Sequence, residues 1–196
     1  MTEICAIILA AGESGRMQTN KLLLPYHGKT LIETVIDHVR QSDIDKILVV
    51  SGAFSDELLP VISLLPVKHC HNKDYKKGML SSVQCGFRNL PAAVNAVMIF
   101  LGDQPAIPGE VANLLIREYR KSEKGIVIPV HKGRRGHPLL IDGKYRHIIG
   151  KLDHAVGLRD LLYKYPEDVL EVNVELPEIL KDIDTPQDYL ALTKSK

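Results

Sequence analysis

Arg16, Lys21, Asp103 and Asp184 are the residues whose types and settings could do chemistry, and the chemistry is that of holding phosphate. From Ser14 to Ile32 there is no acidic residue, while Arg16, Lys21 and Lys29 supply positive charge. Arg16 and Lys21 follow the apolar run Ile4–Leu9 and the small residues Ala10, Ala11 and Gly12. A buried strand that runs into a glycine-bearing, cationic loop presents backbone N–H groups and charged side chains to phosphate. The stretch reads as a nucleoside triphosphate site; solvated surface cations are the alternative.

Asp103 lies in Phe100-Leu101-Gly102-Asp103-Gln104-Pro105, at the point where an apolar run ends. A carboxylate there is placed to hold Mg²⁺, which takes few protein ligands and completes its shell with phosphate and water. A turn before Pro105 is the bland alternative. In Asp182-Ile183-Asp184-Thr185-Pro186, Thr185 or Asp184 could cap the last helix, or Asp184 could join Asp103 at a metal.

Other clusters carry weaker signals. Gly133-Arg134-Arg135-Gly136-His137-Pro138 is a basic loop that could clamp an anionic acceptor or form a solvated hairpin. Gly78-Met79-Leu80-Ser81-Ser82 opens a helix with hydroxyls and bare N–H groups, which suits capping or nucleotide contact. His69-Cys70-His71 puts two histidines on one strand face, but no further ligand stands at zinc spacing. Gly28-Lys29-Thr30 imitates the end of a P-loop, yet Leu23 stands where the first glycine must be, so it reads as a turn before a helix.

These residues need a scaffold, and the hydrophobic pattern supplies one. Strand-like runs fall at Ile4–Leu9, Lys46–Val50, Val67–Cys70, Ala96–Leu101, Gly125–Pro129, Pro138–Ile141 and Val169–Val174. Helix-period segments lie between them at Thr30–Gln41, Ser55–Leu64, Met79–Leu90, Pro108–Lys121, Leu158–Tyr163 and Pro186–Thr193. Pro108 and Pro186 stand where a first helical turn tolerates proline. Strands alternating with helices predict an α/β fold, a mostly parallel sheet covered on both faces. Ligands then bind beyond the carboxyl ends of the strands. No repeat, low-complexity tract or linker interrupts residues 1–196, so one domain is expected.

Composition narrows the partners. A formal net charge of +1 removes any global electrostatic argument for nucleic acid or membrane. Three scattered cysteines, Cys5, Cys70 and Cys85, argue against a disulfide framework and for a reducing cytoplasm. Met1-Thr2-Glu3 leads straight into the first strand, so no signal peptide is expected.

Taken together, these segments resemble the nucleotidyltransferases that act on the molybdenum cofactor, the MobA-like NTP transferases. The match covers Leu9-Ala10-Ala11-Gly12-Glu13-Ser14-Gly15-Arg16-Met17 with Lys21-Leu22-Leu23-Leu24-Pro25, then Gly78–Ser82, Gly102–Pro105, Gly136-His137-Pro138 and Asp182–Asp188, in that order. The Gly-Asp-Gln-Pro and Gly-His-Pro combination is similar to the cytidylyltransferase branch, and so is Ala10-Ala11, where guanylyltransferase relatives carry Gly-Gly. Gln18, Leu80 and Ala155 depart from the family pattern, the last at a position that is acidic in many relatives.

The resemblance implies a three-layer α/β/α, Rossmann-like nucleotidyltransferase fold with a mostly parallel mixed sheet. It implies transfer of CMP from CTP to the terminal phosphate of molybdopterin, with Mg²⁺ as cofactor. Lys21, Arg16 and Asp103 are then catalytic, and Asp103 and Asp184 bind the metal. Leu9 to Arg16, Lys21, Gly78, Ser81, Ser82 and Asp103 contact nucleotide, while Arg135, Gly136, His137 and Pro138 contact the acceptor. A recipient molybdoenzyme is the further partner expected. GTP, another small phosphorylated acceptor, or a non-catalytic carrier of the finished cofactor are the alternatives.

Overall fold

The computed structural model describes residues 3–17 and 19–194. Met1, Thr2 and Gln18 lie outside the described residues, and with them the readings that rest on the first residues and on the Gln18 departure. The strands are β1 (Ile4–Ala10), β2 (Pro25–Tyr26), β3 (Lys29–Thr30), β4 (Lys46–Ser51), β5 (Lys68–His71), β6 (Ala96–Leu101), β7 (Ile126–His131), β8 (Arg134–Arg135), β9 (Leu139–Asp142) and β10 (Val169–Asn173). The helices are α1 (Leu31–Arg40), α2 (Ser55–Ile62), α3 (Met79–Asn89), α4 (Gly109–Lys121), α5 (Arg146–Ile149), α6 (Arg159–Lys164) and α7 (Pro186–Lys194).

The main sheet runs in the order β10-β7-β9-β6-β1-β4-β5, with the short β8 paired to β7. β1 is parallel to both β4 and β6, β4 to β5, and β7 to β10. Only β9 and β8 run against their neighbours. The mostly parallel mixed sheet read from the sequence is therefore present. β2 and β3 form a separate small hairpin.

β1 sits at the centre, and the period of two in its side chains feeds two cores. Ile4, Ala6, Ile8 and Ala10 join Ile32, Val35, Ile36 and Val39 of α1, Leu58 and Ile62 of α2, and Leu115 and Ile116 of α4. Cys5 and Ile7 join Leu80, Val83 and Phe87 of α3, Ile149 of α5 and Leu161 of α6. Helices thus cover both faces, giving three layers. Burial decides this arrangement: α1 hides five apolar side chains, each worth roughly 1.5–3 kcal/mol when fully buried. Its Thr30–Glu33 capping box adds about 1 kcal/mol by comparison.

α7 differs from the other long helices in hiding no side chain. It is held at its start by a reciprocal cap. Asp188 N–H donates to Thr185 Oγ1 at 3.2 Å, and Thr185 N–H donates to an Asp188 carboxylate oxygen at 2.8 Å. Farther along, the Tyr189 hydroxyl donates to the Pro25 carbonyl at 2.6 Å. No helix among the described residues is long and apolar enough to cross a membrane.

Candidate active site

Parallel β1, β4, β5 and β6 bring their carboxyl ends to one edge, and a cavity of about 470 Å³ opens there. Its lining comes from the loop after β1 (Leu9 to Arg16, then Lys21 and Leu22), from the segment after β5 (Tyr75, Lys76, Gly78, Met79, Ser82), and from Leu101, Asp103, Asp182 and Asp184. Four stretches distant in sequence meet.

The first loop is pinned at both ends. The Gly102 N–H donates to the Leu9 carbonyl at 2.9 Å, which fixes the exit of β6 beside that of β1. At the far end the Asn20 side chain caps a short 3-10 turn, Lys21–Leu23, by accepting from the Leu22 N–H. Leu22 packs into the core, so the turn holds its neighbour Lys21 at the rim of the cavity. Between these anchors Ser14 adopts φ 48°, a left-handed conformation that non-glycine residues seldom accept. Such backbone strain is retained where the surroundings impose it, and it gathers at ligand sites.

Asp103 arrives from the middle of the chain and Asp184 from near its end. The Ile183 N–H donates to the Asp103 carbonyl at 3.3 Å, and the Ile183 side chain is buried. Asp182 and Asp184 flank Ile183, and both line the cavity. Lys21 Nζ then lies 2.5 Å from Asp103 Oδ2 and 3.0 Å from Asp184 Oδ1. Arg16 reaches the other Asp184 oxygen at 2.6 Å from a more exposed position. The result is a chain of alternating charge: Asp103, Lys21, Asp184, Arg16.

The electrostatics follow from that order. Burial lowers the affinity of Lys21 for its proton, but the Asp103 and Asp184 carboxylates together outweigh it and hold the pKa above the ordinary lysine value. Partial desolvation pushes Asp184 up, and Lys21 with Arg16 overrides it, leaving the pKa low. Asp182 moves the other way. Desolvation of its carboxyl and the nearby Asp103 charge raise it, although Gln104 Nε2 donates to it at 2.7 Å.

The two metal candidates of the sequence thus converge on one point, since both touch a single ammonium. Among the described residues no group of three or more His, Cys, Asp or Glu is set to hold a metal. Two carboxylates suit a cation that takes most of its shell from phosphate and water, and suit zinc poorly. His69 and His71 both face Ser51, whose hydroxyl lies 2.6 Å from His69 Nε2 and 3.5 Å from His71 Nδ1.

The predicted site residues divide. Leu9 to Arg16, Lys21, Gly78, Ser82, Asp103 and Asp184 line the cavity together. Ser81 does not; it is buried, donates to the Asp74 and Gly78 carbonyls, and accepts from Asn72 Nδ2 at 2.8 Å. In the basic loop, Arg135 pairs with Glu171 on the neighbouring β10, and Gly136 packs against the Ile179 carbonyl. His137 is the loop member that reaches the electrostatic range of Asp103; burial takes its pKa down to about 4 despite that carboxylate. None of Arg135, Gly136, His137 and Pro138 lines this cavity. Asp153, an acidic neighbour of Ala155, turns its carboxylate to the Ala155 N–H at 2.9 Å. Lys29 pairs with Asp37 on α1, and Gly28 forms the β2–β3 turn with φ 83°, as the turn reading expects.

Leu22, Tyr75, Lys76, Leu101 and Asp182 also line the cavity, beyond the residues that the sequence reading assigned to the site. For Asp182 a signal existed in the alternation Asp182-Ile183-Asp184, which puts two carboxylates on one face of an extended segment.

Residues 6–169 match the family model described as the MobA-like NTP transferase domain. The chain is 30% identical to the molybdenum cofactor cytidylyltransferase of Escherichia coli (strain K12), an alignment that covers 97% of this chain and 95% of that protein. It is 30% identical to a probable molybdenum cofactor guanylyltransferase of Natranaerobius thermophilus, over 91% of this chain and 78% of the relative. The crystal structure of Rv0371c from Mycobacterium tuberculosis H37Rv superimposes with a TM-score of 0.88 at 25% identity, covering 99% of this chain and 98% of that one.

Proposed function

The chain belongs to the MobA-like NTP transferase family and is a nucleotidyltransferase, and from that premise we propose that it transfers CMP from CTP to the terminal phosphate of molybdopterin, releasing pyrophosphate. The observation that carries this reading is the Asp103–Lys21–Asp184 cluster beside the strained loop after β1.

The nucleophile in such a transfer is an oxygen of a phosphate that is already anionic. The reaction therefore needs no strong general base, and positioning with charge neutralisation does most of the work. The acceptor oxygen bonds to the α-phosphorus as the bond to the bridging oxygen breaks, and pyrophosphate carries the electron pair away. Lys21 leaves its carboxylate partners to meet charge at the α-phosphate. Arg16, exposed at the mouth, meets the β- and γ-phosphates, and backbone N–H groups from Gly12 to Gly15 cradle the chain. Asp103 and Asp184 would hold Mg²⁺, which would supply positive charge to offset that of the phosphates. For the acceptor, His137 is the strongest of Arg135, Gly136, His137 and Pro138, because it shares the surroundings of Asp103.

CTP is preferred over GTP because Ala10 and Ala11 both line the cavity and put two methyl groups where glycines would leave room. The 30% identity to a cytidylyltransferase supports this, while the similar identity to a probable guanylyltransferase keeps GTP as the second reading. A carrier of finished cofactor has no need of a metal–triphosphate cluster. Three free cysteines, with the Cys70 and Cys85 thiols in a hydrogen bond at 3.8 Å, suit a reducing cytoplasm.

The test is pyrophosphate release by the purified protein with Mg²⁺ and molybdenum cofactor, comparing CTP with GTP. Release with CTP is the expected result. Release with GTP alone overturns the base assignment, and binding of cofactor without turnover of either nucleotide favours a carrier.

A further inference from the structure

The cavity has two chemically different ends. It spans the carboxyl edges of β6, β1, β4 and β5, which are consecutive neighbours in the sheet. Asp103 follows β6 and Tyr75 follows β5, so three strand spacings, roughly 14 Å, separate their strands. Arg16, Lys21, Asp103 and Asp184 form one charged cluster. Tyr75 and Met79 come from the other side, with Ala11 also in the lining and with Lys76, whose Nζ stands 6.0 Å from the Tyr75 ring centroid. A triphosphate at the charged end leaves its base to the end walled by an aromatic ring, a methyl and a thioether.

Two features fix that ring in place. Gly52, just past β4, has no room for a side chain. An added Cβ would stand 2.6 Å from the Ala11 carbonyl oxygen, 2.8 Å from the Ala11 Cβ and 2.8 Å from the Tyr75 Cβ. Ala11 and Tyr75 therefore both press on the one position where the chain offers no atoms. The Ala53 N–H also donates to the Ala11 carbonyl at 3.3 Å. Behind Tyr75, the buried Asn72 accepts from the Asp74 N–H at 3.0 Å and donates to Ser81 at 2.8 Å and Ser82 at 3.0 Å. Its amide ties the short turn that carries Tyr75 to the first turn of α3.

We propose that Tyr75 is the base-contacting wall of this cavity, and that Gly52 and Asn72 are positioning residues that set its distance from Ala11. This rests on the reading that the cavity holds a nucleoside triphosphate. It assigns recognition of the base to the segment after β5, and gives Ser81 a structural part through Asn72.

The experiment is calorimetric titration with Mg²⁺ of CTP, GTP and inorganic tripolyphosphate, on the wild type and on Tyr75→Ala, Tyr75→Phe, Gly52→Ala and Asn72→Asp. Tyr75→Ala is expected to weaken CTP about tenfold or more, in line with the loss of one aromatic–base contact. Tripolyphosphate, which has no base, is expected to bind it as it binds the wild type. Tyr75→Phe keeps CTP affinity within about threefold, because the ring remains. Gly52→Ala and Asn72→Asp lose CTP and keep tripolyphosphate; if either fails to fold, the two Tyr75 variants decide. The preference for CTP over GTP falls in Tyr75→Ala, since removing the ring opens room for a purine.

A Tyr75→Ala protein that binds CTP as the wild type does overturns this inference and leaves the functional reading standing. Equal loss of CTP and tripolyphosphate also overturns it, because that pattern marks general damage to the site. A wild type that binds none of the three probes overturns the functional reading itself.

Discussion

Lys21 Nζ stands 2.5 Å from Asp103 Oδ2 and 3.0 Å from Asp184 Oδ1, so one ammonium holds together carboxylates 81 positions apart in sequence. Without a metal the two carboxylates share it, and Arg16 supplies the second positive charge at Asp184. Lys21→Ala is expected to reduce turnover by about 10²-fold or more, the scale for removing one group that meets charge in the transition state. The same change takes the ammonium from both carboxylates and leaves Asp184 to Arg16 alone. Its melting temperature without metal is expected to fall below that of the wild type, and added Mg²⁺ to raise it by more than in the wild type. Thermal scans across a Mg²⁺ titration measure this, and a variant with wild-type turnover removes Lys21 from the mechanism.

The raised pKa of Lys21 gives that pairing a defined pH range. Its contribution is full below the unfolded lysine value and is lost as pH rises through the higher folded value. Alkaline unfolding curves are expected to separate wild type from Lys21→Met up to the ordinary lysine value of 10.5 and to converge only above the higher folded value. Parallel curves over the whole range contradict the pairing as a source of stability.

His137 acts in the opposite direction. Its folded pKa, about 4, lies below the ordinary histidine value of 6.5, so the unfolded chain takes up the proton first. Stability present above pH 6.5 is lost as pH falls toward 4, by up to about 3 kcal/mol from this group. Denaturant unfolding at pH 7 and pH 4.5 is expected to show a larger drop for the wild type than for His137→Gln. An equal drop places the acid sensitivity in the carboxylates alone.

The sheet was legible because its strands are written as continuous apolar runs between turn residues, as at Ala96–Leu101, where reading and structure agree at both ends. The helices were legible from their apolar period, within one or two residues. The two-residue strands β2, β3 and β8 and the four-residue α5 were not, since such elements are too short to show a period. At the site, Lys21, Asp103 and Asp184 could be read because charge follows structure-breaking residues there. Tyr75 could not, since a lone tyrosine among lysines carries no pattern; its place depends on the Gly52 contact, which only the packed sheet reveals. Arg135 was read as an acceptor clamp because its loop is basic and arginine suits forked phosphate contacts. Its partner Glu171 comes from β10, beside β7, across the sheet edge.

The Gly28-Lys29-Thr30 turn offers a control. Thr30 caps α1 and Lys29 pairs with Asp37, so neither faces the cavity. Thr30→Ala is expected to cost about 1 kcal/mol of stability and Lys29→Ala to leave it nearly unchanged, as is usual for an exposed pair. Both are expected to keep the wild-type KM for nucleotide. A raised KM in Lys29→Ala restores the P-loop reading.

The cap of α7 connects the last helix to the metal candidates. Asp184 is the residue before Thr185, and its N–H donates to the same Asp188 carboxylate at 3.2 Å that caps the helix. That carboxylate is held below its ordinary pKa by the Thr185 hydroxyl and the Thr185 and Asp184 N–H groups. The backbone of Asp184 is therefore fixed by a helix whose own side chains hide nothing, and the cap does what burial does elsewhere. Thr185→Ala is expected to lose about 1 kcal/mol of stability through the missing cap. Its further effect falls on the metal: the Mg²⁺ concentration for half-maximal turnover rises, while the KM for CTP at saturating Mg²⁺ stays near the wild-type value. Asp188→Ala, which removes the acceptor for both N–H groups, shifts the Mg²⁺ requirement further than Thr185→Ala. Unchanged Mg²⁺ dependence in both would mean that the Ile183 anchor and its hydrogen bond to the Asp103 carbonyl suffice to hold Asp184.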